Sequence, residues 1–227
     1  MISHLGPQLA IADGVALAYA LRKEAKASVA FSGDGGTSEG DFHEALNVAA
    51  VWNLPVIFII ENNGYGLSTP VNEQYKCEQL VDKAKGYGMQ GVLVDGNDLM
   101  AVVKTVREAA DRARNAEGPP LIEAMTYRLG PHSTSDDPNM YRNEDEFLKW
   151  QGLDPLGRLR NYLQSQDYWN EQQENELREA VDIVIKEAIK EAERSGPPAT
   201  ATMFEDVYSQ PPKSLLEQMA DCLSFVQ

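Results

Sequence analysis

The sequence predicts an α/β protein with a parallel sheet flanked by helices, and two observations support this fold class. Short apolar runs alternate along the chain with longer segments of helical periodicity. Most of the apolar runs end at a polar turn that contains glycine. Strands that alternate with helices build parallel sheets whose crossover helices cover both faces. A charged amphipathic segment near the end of the chain predicts a C-terminal helical tail.

The first predicted elements alternate helix and strand. Residues 5–24 are Ala-rich and predicted to be helical; the chain lacks a basic leader there and does not resemble a signal peptide. This segment resembles a helix already in progress, so we expect the chain to start inside a larger fold. A strand is predicted over 27–34 and a helix over 39–51. The run "VIFII" at 56–60 is typical of a strand buried on both faces.

The pattern continues through the middle of the chain. A short helix is predicted over 76–85 and a strand over 91–96. The next helix begins at Asn97 or Asp98, residue types that cap helix N-termini. The last strand is predicted over 119–128.

The remaining segments are more polar. Residues 129–146 form a long predicted loop, of a length that is usually functional or disordered. A charged helix is predicted over 174–195, and "TMFEDVYSQPP" is expected to be an extended arm. These features divide the chain into an α/β domain over 1–165 and a C-terminal helix and extended arm over 166–227.

Composition limits the class of function. The chain has 227 residues, which suffice for one domain with a full core and an appendage. Its formal net charge of -15 disfavours nucleic acid and an anionic membrane surface as partners. No apolar run reaches the length of roughly 20 residues that spans a membrane. Two cysteines, Cys77 and Cys222, do not make a disulfide framework and favour a reducing compartment.

A glycine-rich turn follows the first predicted strand. In "GDGGTSEG", residues 33–40, glycines before a helix would let backbone N–H groups approach a phosphate. Asp34 would repel that phosphate unless a cation such as Mg²⁺ lay between them. The turn lacks the Gly-Lys-Ser/Thr ending of a P-loop, and the dinucleotide fingerprint G-x-G-x-x-G fails at Ser38. Taken alone, the turn is equally compatible with a simple tight turn.

A second polar cluster strengthens the metal hypothesis. Asn62 and Asn63 follow the next predicted strand, at a separation from Asp34 that one strand–helix–strand unit spans. Such a unit would bring Asn63 beside Asp34. An amide oxygen is an uncharged hard ligand, so Asp34, Asn63 and a backbone carbonyl would leave room for a diphosphate on Mg²⁺.

This GDG…NN pattern resembles the metal–diphosphate motif of thiamine diphosphate enzymes. The chain resembles the alpha subunit of the decarboxylating component of 2-oxo acid dehydrogenase complexes, from about Leu5 to Trp150 and loosely to about Tyr208. The stretches "NNGYGLSTPVNEQY", "VDGNDLMAVV" and "LIEAMTYRLGPHSTSDD" are most similar to the branched-chain (2-oxoisovalerate) enzyme. The resemblance implies a thiamine diphosphate-binding fold. It also implies Mg²⁺-dependent oxidative decarboxylation of branched-chain 2-oxo acids, with acyl transfer to a lipoyl group.

The resemblance also assigns roles to the strand-end residues. Asp34, Asn63 and the backbone carbonyl of Tyr65 would bind the metal, and the amides of Gly35 and Gly36 would bind the diphosphate.

Other positions follow from the same resemblance. Ser3 and Leu5 would lie near the rings of the cofactor, and His132 would face the reacting carbon as the catalytic residue. Ser133 matches a serine that is phosphorylated in animal homologues.

Two departures from the family define the expected partners. A Tyr-Arg pair that grips the diphosphate in the family would lie before Met1, and the family's activating glutamate belongs to a beta subunit. The chain is therefore expected to be half of a site, inactive without a beta subunit, in a heterotetramer that also meets the lipoyl domain of a dihydrolipoyl acyltransferase. The expected location is the bacterial cytoplasm, or the mitochondrial matrix in a eukaryote.

Three alternatives remain open from the sequence. The substrate could be pyruvate or acetoin. The chain could be an inactive truncated fragment that acts only in assembly. A nucleotide-binding protein of the Rossmann type is a third possibility, with Glu61 as the acid that binds a ribose.

Overall fold

A computed structural model describes residues 5–225 and confirms the α/β class, with a parallel sheet flanked by helices. The chain divides into two compact units, Met1–Ser165 and Gln166–Gln227. The helices of the first unit are α1 (Pro7–Arg22), α2 (Gly40–Trp52), α3 (Val71–Gln74), α4 (Lys83–Gly86), α5 (Leu99–Arg114), α6 (Glu144–Gln151) and α7 (Pro155–Ser165). The strands are β1 (Ser28–Gly33), β2 (Val56–Asn62), β3 (Tyr65–Gly66), β4 (Thr69–Pro70), β5 (Gln90–Asp95) and β6 (Pro120–Met125).

The main sheet has four parallel strands in the order β1-β2-β6-β5. In its register, Gly33 pairs with Glu61 and Asn62 pairs with Met125. The carboxyl ends of β1, β2 and β6 therefore lie side by side, where parallel sheets bind their ligands. A short antiparallel hairpin, β3–β4, follows β2 at this edge.

The core has one layer on each face of the sheet. Phe58 and Ile60 pack with residues of α1 and α2, whereas Ile57 and Ile59 pack with residues of α5 on the other face. All five residues of the run at 56–60 are buried, as expected for a central parallel strand.

One carboxylate is buried among the small residues of α1. Asp13 is 5 % exposed, and its Oδ1 atom has no hydrogen-bond partner among the described residues. Burial raises the pKa of this carboxyl to about 7, because the charged form loses its hydration.

Several local predictions need correction. The helix expected over 76–85 is replaced by a 3-10 turn, Leu80–Asp82, followed by the single turn of α4. A capping box between Gln79 and Asp82 starts this element at Leu80. The expected loop at 129–146 ends early, because Asn143 caps α6. Asp98 rather than Asn97 caps α5.

The second unit is helical. It contains α8 (Glu171–Ser195), α9 (Thr202–Glu205) and α10 (Lys213–Ser224). The prediction of an extended arm is wrong for residues 202–205, which form α9, and helix α10 was not predicted. Within residues 5–225, no helix is both long and apolar enough to cross a membrane.

Candidate functional site

The turn after β1 is tight and buried. Asp34 is 1 % exposed and precedes a 3-10 turn, Gly35–Ser38. The backbone oxygen of Asp34 accepts hydrogen bonds from the amide (3.1 Å) and the hydroxyl (2.8 Å) of Thr37. A Cβ atom at Gly36 would collide with the hydroxyl oxygen of Ser32, so a larger residue here would require the Ser32 side chain to move.

The turn after β2 meets the first turn directly. The amide of Asn63 donates to Oδ1 of Asp34 over 3.3 Å, and Oδ1 of Asn63 accepts from the amide of Tyr65 over 3.2 Å. The structure thus brings together Asp34, Asn63 and Tyr65, the three residues predicted to bind a metal. We call residues 34–38 and 63–65 the strand-end site.

Gln74 is a neighbour of this site that the sequence did not reveal. Its Nε2 atom donates to Oδ2 of Asp34 (3.0 Å) and to the carbonyl of Thr69 (2.8 Å). Its Oε1 atom is buried without a hydrogen-bond partner in the described part of the chain. Gln74 is the last residue of α3, and no spacing in the sequence connects it to Asp34.

The strand-end site fits Mg²⁺ and a diphosphate chemically. A carboxylate, an amide oxygen and a backbone carbonyl are the hard oxygen donors that Mg²⁺ prefers. The bare backbone of Gly35 and Gly36 admits close approach by an anion, and the unpartnered oxygen of Gln74 is a buried polar atom at the same place. Over residues 5–225, no group of three His, Cys, Asp or Glu side chains is placed to hold a metal. The strand-end site is not a group of that kind, because its donors are one carboxylate, one amide oxygen and one backbone carbonyl.

The predicted residues of the N-terminal segment are partly described. The Cβ atom of Leu5 lies 3.5 Å from the position that a Cβ at Gly36 would take. Leu5 is therefore adjacent to the strand-end site. Ser3, the other residue predicted near the cofactor rings, lies outside the described residues.

His132 lies in a different environment. It is exposed, and its amide donates to Oδ2 of Asp136 over 2.7 Å. The hydroxyl of Tyr141 donates to the same oxygen over 2.7 Å. The hydrogen bond from the His132 amide, followed by the one from Tyr141, lowers the pKa of the Asp136 carboxyl. The structure records no hydrogen bond between His132 and the strand-end site in the described residues.

The base of this loop is attached to the strand-end site through Tyr65. We call residues 129–143 the His132 loop. The guanidinium of Arg142 lies 4.9 Å from the ring centre of Tyr127 and 5.9 Å from that of Tyr65, and it donates to the carbonyl of Gly130 over 3.2 Å. Cation–π contacts of this kind stabilise by about 0.5–2 kcal/mol each.

The phenol of Tyr65 is also held from the other side of the loop. It donates to Oε2 of Glu146 on α6 over 2.9 Å. Burial, reinforced by this carboxylate, raises the pKa of Tyr65 to about 12. Tyr65 thus joins the strand-end site to both the His132 loop and the helix that follows it.

Comparison with known proteins identifies the family. Residues 2–201 match the family described as "Dehydrogenase E1 component". The chain belongs to the dehydrogenase E1 component family. It is 44 % identical over 224 residues to the pyruvate dehydrogenase E1 component subunit alpha of Staphylococcus aureus (strain Mu50 / ATCC 700699). The aligned region covers 96 % of this chain and 60 % of the relative.

A second E1 relative carries a different substrate in its name. The chain is 42 % identical over 215 residues to the mitochondrial 2-oxoisovalerate dehydrogenase subunit alpha 2 of Arabidopsis thaliana. The aligned region covers 94 % of this chain and 46 % of the relative. The chain therefore spans about half to three fifths of the length of these two E1 relatives. The predicted resemblance to E1 alpha subunits is confirmed.

Proposed function

We propose that this chain provides the alpha half of the site in a thiamine diphosphate- and Mg²⁺-dependent 2-oxo acid dehydrogenase. One observation carries the proposal. In a member of the E1 family, Asp34 and the Asn63–Tyr65 turn meet at the carboxyl ends of two adjacent parallel strands. Family membership alone would not require this chain to retain a usable site, so the meeting of these two turns is the observation that supports the proposal.

Each residue of the strand-end site would have a distinct task. Asp34, Asn63 and the carbonyl of Tyr65 would hold Mg²⁺, and the amides of Gly35 and Gly36 would bind the diphosphate. Bound thiamine diphosphate would supply the electron sink for decarboxylation.

His132 would act at the acyl-transfer step. An imidazole can both donate and accept a proton, which suits His132 to this step. Its exposure is consistent with a group that must meet a lipoyl arm carried by another protein.

The proposed substrate is a branched-chain 2-oxo acid, on the strength of the stretch "HSTSDD" that begins at His132. Pyruvate is the second candidate, because the Staphylococcus aureus relative named as a pyruvate dehydrogenase is 44 % identical to this chain. Competition between 2-oxoisovalerate and pyruvate in the assembled enzyme would decide between them. The preferred substrate is the one with the higher kcat/KM.

The proposal requires partner proteins. A beta subunit would complete the cofactor site, and the lipoyl domain of an acyltransferase would accept the acyl group. A native mass spectrum of material purified from its own source with Mg²⁺ tests this. We expect a complex of two different chains with thiamine diphosphate bound; a lone chain without cofactor would contradict the proposal.

Removal of the Asp34 carboxylate tests the anchor. In Asp34→Ala, we expect Mg²⁺-dependent binding of thiamine diphosphate, measured by titration calorimetry on the purified complex, to be abolished. Glu61→Ala is the matched control, because Glu61 is an exposed acid at the end of β2. Cofactor binding by Asp34→Ala as tight as in the parent would refute the assignment.

A further inference from the structure

Behind the strand-end site lies a buried polar cluster that the proposed function does not use. Its centre is Glu123, which is fully buried in the middle of the apolar strand β6. Oε1 of Glu123 accepts from the side-chain amide of Asn62 over 2.7 Å, and Oε2 accepts from the backbone amide of Val81 over 2.8 Å. A buried carboxylate is costly unless hydrogen bonds compensate it, so these two contacts are strong constraints.

The first contact leads to the turn that carries Asn63. Because Glu123 holds the Nδ2 atom of Asn62, the Oδ1 atom of Asn62 faces the opposite way. There it accepts from the amide of Gly64 over 3.1 Å. The side chain of Asn62 therefore fixes the backbone on the far side of Asn63. Glu123, through the shorter bond, and the hydroxyl of Tyr75, which accepts from the same Nδ2 atom over 3.1 Å, fix the orientation of that side chain.

The second contact leads to the turn that carries Asp34. Val81 lies in the 3-10 turn that runs directly into α4, whose first residue is Lys83. The ammonium of Lys83 donates to the carbonyl and to the hydroxyl oxygen of Thr37, each over 3.1 Å. The Thr37 hydroxyl donates in turn to the backbone oxygen of Asp34.

The surroundings of Lys83 confine it to this position. Its Nζ atom lies 5.4 Å from the ring centre of Phe42 and 5.5 Å from that of Tyr75. Burial lowers the pKa of Lys83, and coulombic interactions with Cys77 and, to a smaller extent, with Glu123 oppose this shift. A half-buried lysine that donates to a turn backbone restricts that turn more strongly than a solvated one.

We propose that Glu123 and Lys83 are positioning residues that hold the two halves of the strand-end site in register. Glu123 reaches the Asn63 turn through Asn62, and it reaches the Asp34 turn through the Val81 turn and Lys83. The expected effect of these residues on metal binding rests on the proposed function. Outer-shell groups that orient metal ligands typically change metal affinity about 10- to 100-fold when they are removed.

Hydrogen exchange of single backbone amides, measured on the full chain without metal or cofactor, tests the two paths separately. One path runs from Glu123 through Asn62 to Gly64, and the other runs from Lys83 to Thr37. In Lys83→Met, we expect the Thr37 amide to exchange about tenfold faster or more, while the Gly64 amide is unchanged. In Glu123→Gln, the amide side chain has one acceptor oxygen and can accept from either Asn62 or Val81, but not from both. Exchange should therefore rise about tenfold or more at Gly64, if Asn62 loses its partner, or at Val81. Unchanged exchange at these amides in both variants would overturn the proposal.

Two matched controls accompany these variants. Lys85→Met removes a lysine two positions away on α4 that is exposed and paired with Asp82. Glu61→Gln makes the same chemical change as Glu123→Gln at an exposed position on the adjacent strand. Neither control should alter exchange at Thr37 or Gly64, and Lys83→Arg, which keeps a donor, should restore the parent rate at Thr37.

A second measurement distinguishes positioning from general stabilisation. In the assembled complex, the Mg²⁺ concentration that half-saturates thiamine diphosphate binding should rise about 10- to 100-fold in Lys83→Met and return towards the parent value in Lys83→Arg. A fall in melting temperature with an unchanged Mg²⁺ requirement would overturn the positioning role. Failure of the parent complex to bind the cofactor, with the exchange differences intact, would refute the proposed function and still support a role in holding the turns.

Discussion

The strand-end site and the His132 loop both carry predicted functional residues, but they are built differently. Asp34 is buried at the end of β1, beside the end of β2, and both of its carboxylate oxygens accept hydrogen bonds within the fold. His132 is exposed in a segment whose only regular structure is a short 3-10 turn at Pro138–Met140. The loop is held mainly at its base by Arg128, Tyr141 and Arg142.

This difference separates two requirements of the proposed chemistry. A charged cofactor is best bound by groups whose positions are fixed before it arrives. A group that must meet an acyl acceptor on another protein has to remain accessible, and functional groups of this kind are commonly placed on loops. The comparison therefore predicts that the two regions can be impaired independently.

Replacement of His132 gives the largest expected separation. In His132→Ala, cofactor binding should be retained, while acyl transfer to a lipoyl domain falls by about 100- to 10,000-fold through loss of a proton-transfer group. Calorimetry and a lipoyl acylation assay measure the two properties on the same preparation. Normal acylation would show that the loop does not supply the transfer group.

Core truncation under the strand-end site is expected to lower global stability. Phe58 is fully buried in β2, and Phe58→Ala should reduce the free energy of unfolding by about 3–5 kcal/mol. Met140 of the His132 loop is 81 % exposed, and Met140→Ala should change the free energy of unfolding by less than about 0.5 kcal/mol. Urea denaturation measures the free energy of unfolding of both variants. Equal losses would contradict the expected difference between the two regions.

Arg142 connects the two regions, so its removal tests how independent they are. Arg142→Ala would remove contacts with the rings of Tyr65 and Tyr127, at a cost of about 2 kcal/mol. We expect faster amide exchange in the His132 loop with unchanged Mg²⁺-dependent cofactor binding. A parallel loss of cofactor binding would mean that the loop and the strand-end site act as one unit.

The smallest expected effect is a pH dependence confined to the His132 loop. The pKa of Asp136 is lowered by its hydrogen bonds to the His132 amide and Tyr141, so the stabilisation it gives is present at neutral pH. It should be lost as the pH falls through this lowered value, below the ordinary 3.8 of the residue. The protection of the His132 amide, taken relative to the intrinsic exchange rate at each pH, should fall there and stay constant with pH in Asp136→Asn.

The sequence predicted well those features that depend on local pattern. The buried run at 56–60 predicted a central parallel strand, and the spacing of Asp34 and Asn63 placed both at neighbouring strand ends. Turn chemistry also identified Asp98 as one of two possible caps of α5. Strand periodicity and turn residues are local properties, so they can be read without knowledge of tertiary contacts.

The remaining features depend on contacts between distant residues. Gln74 reaches Asp34, and Lys83 reaches Thr37, across segments whose paths the sequence does not reveal. The signal that could have identified Glu123 was present, because an acid inside the apolar run "LIEAM" needs buried partners. The extended backbone expected from residue 202 onward is wrong at 202–205, because residues 199–205 form local helical hydrogen bonds.

The buried carboxyl of Asp13 makes folding a proton-binding reaction at mildly acidic pH. In the unfolded chain this group titrates near its ordinary value of 3.8, whereas in the fold it titrates at about 7. Between these values the folded state retains a proton that the unfolded state has released, so stability declines as the pH rises across that interval. The accumulated penalty at neutral pH is about 2–4 kcal/mol. Mildly acidic buffer thus favours the native state at Asp13, and a basic group brought to this carboxylate would remove the penalty.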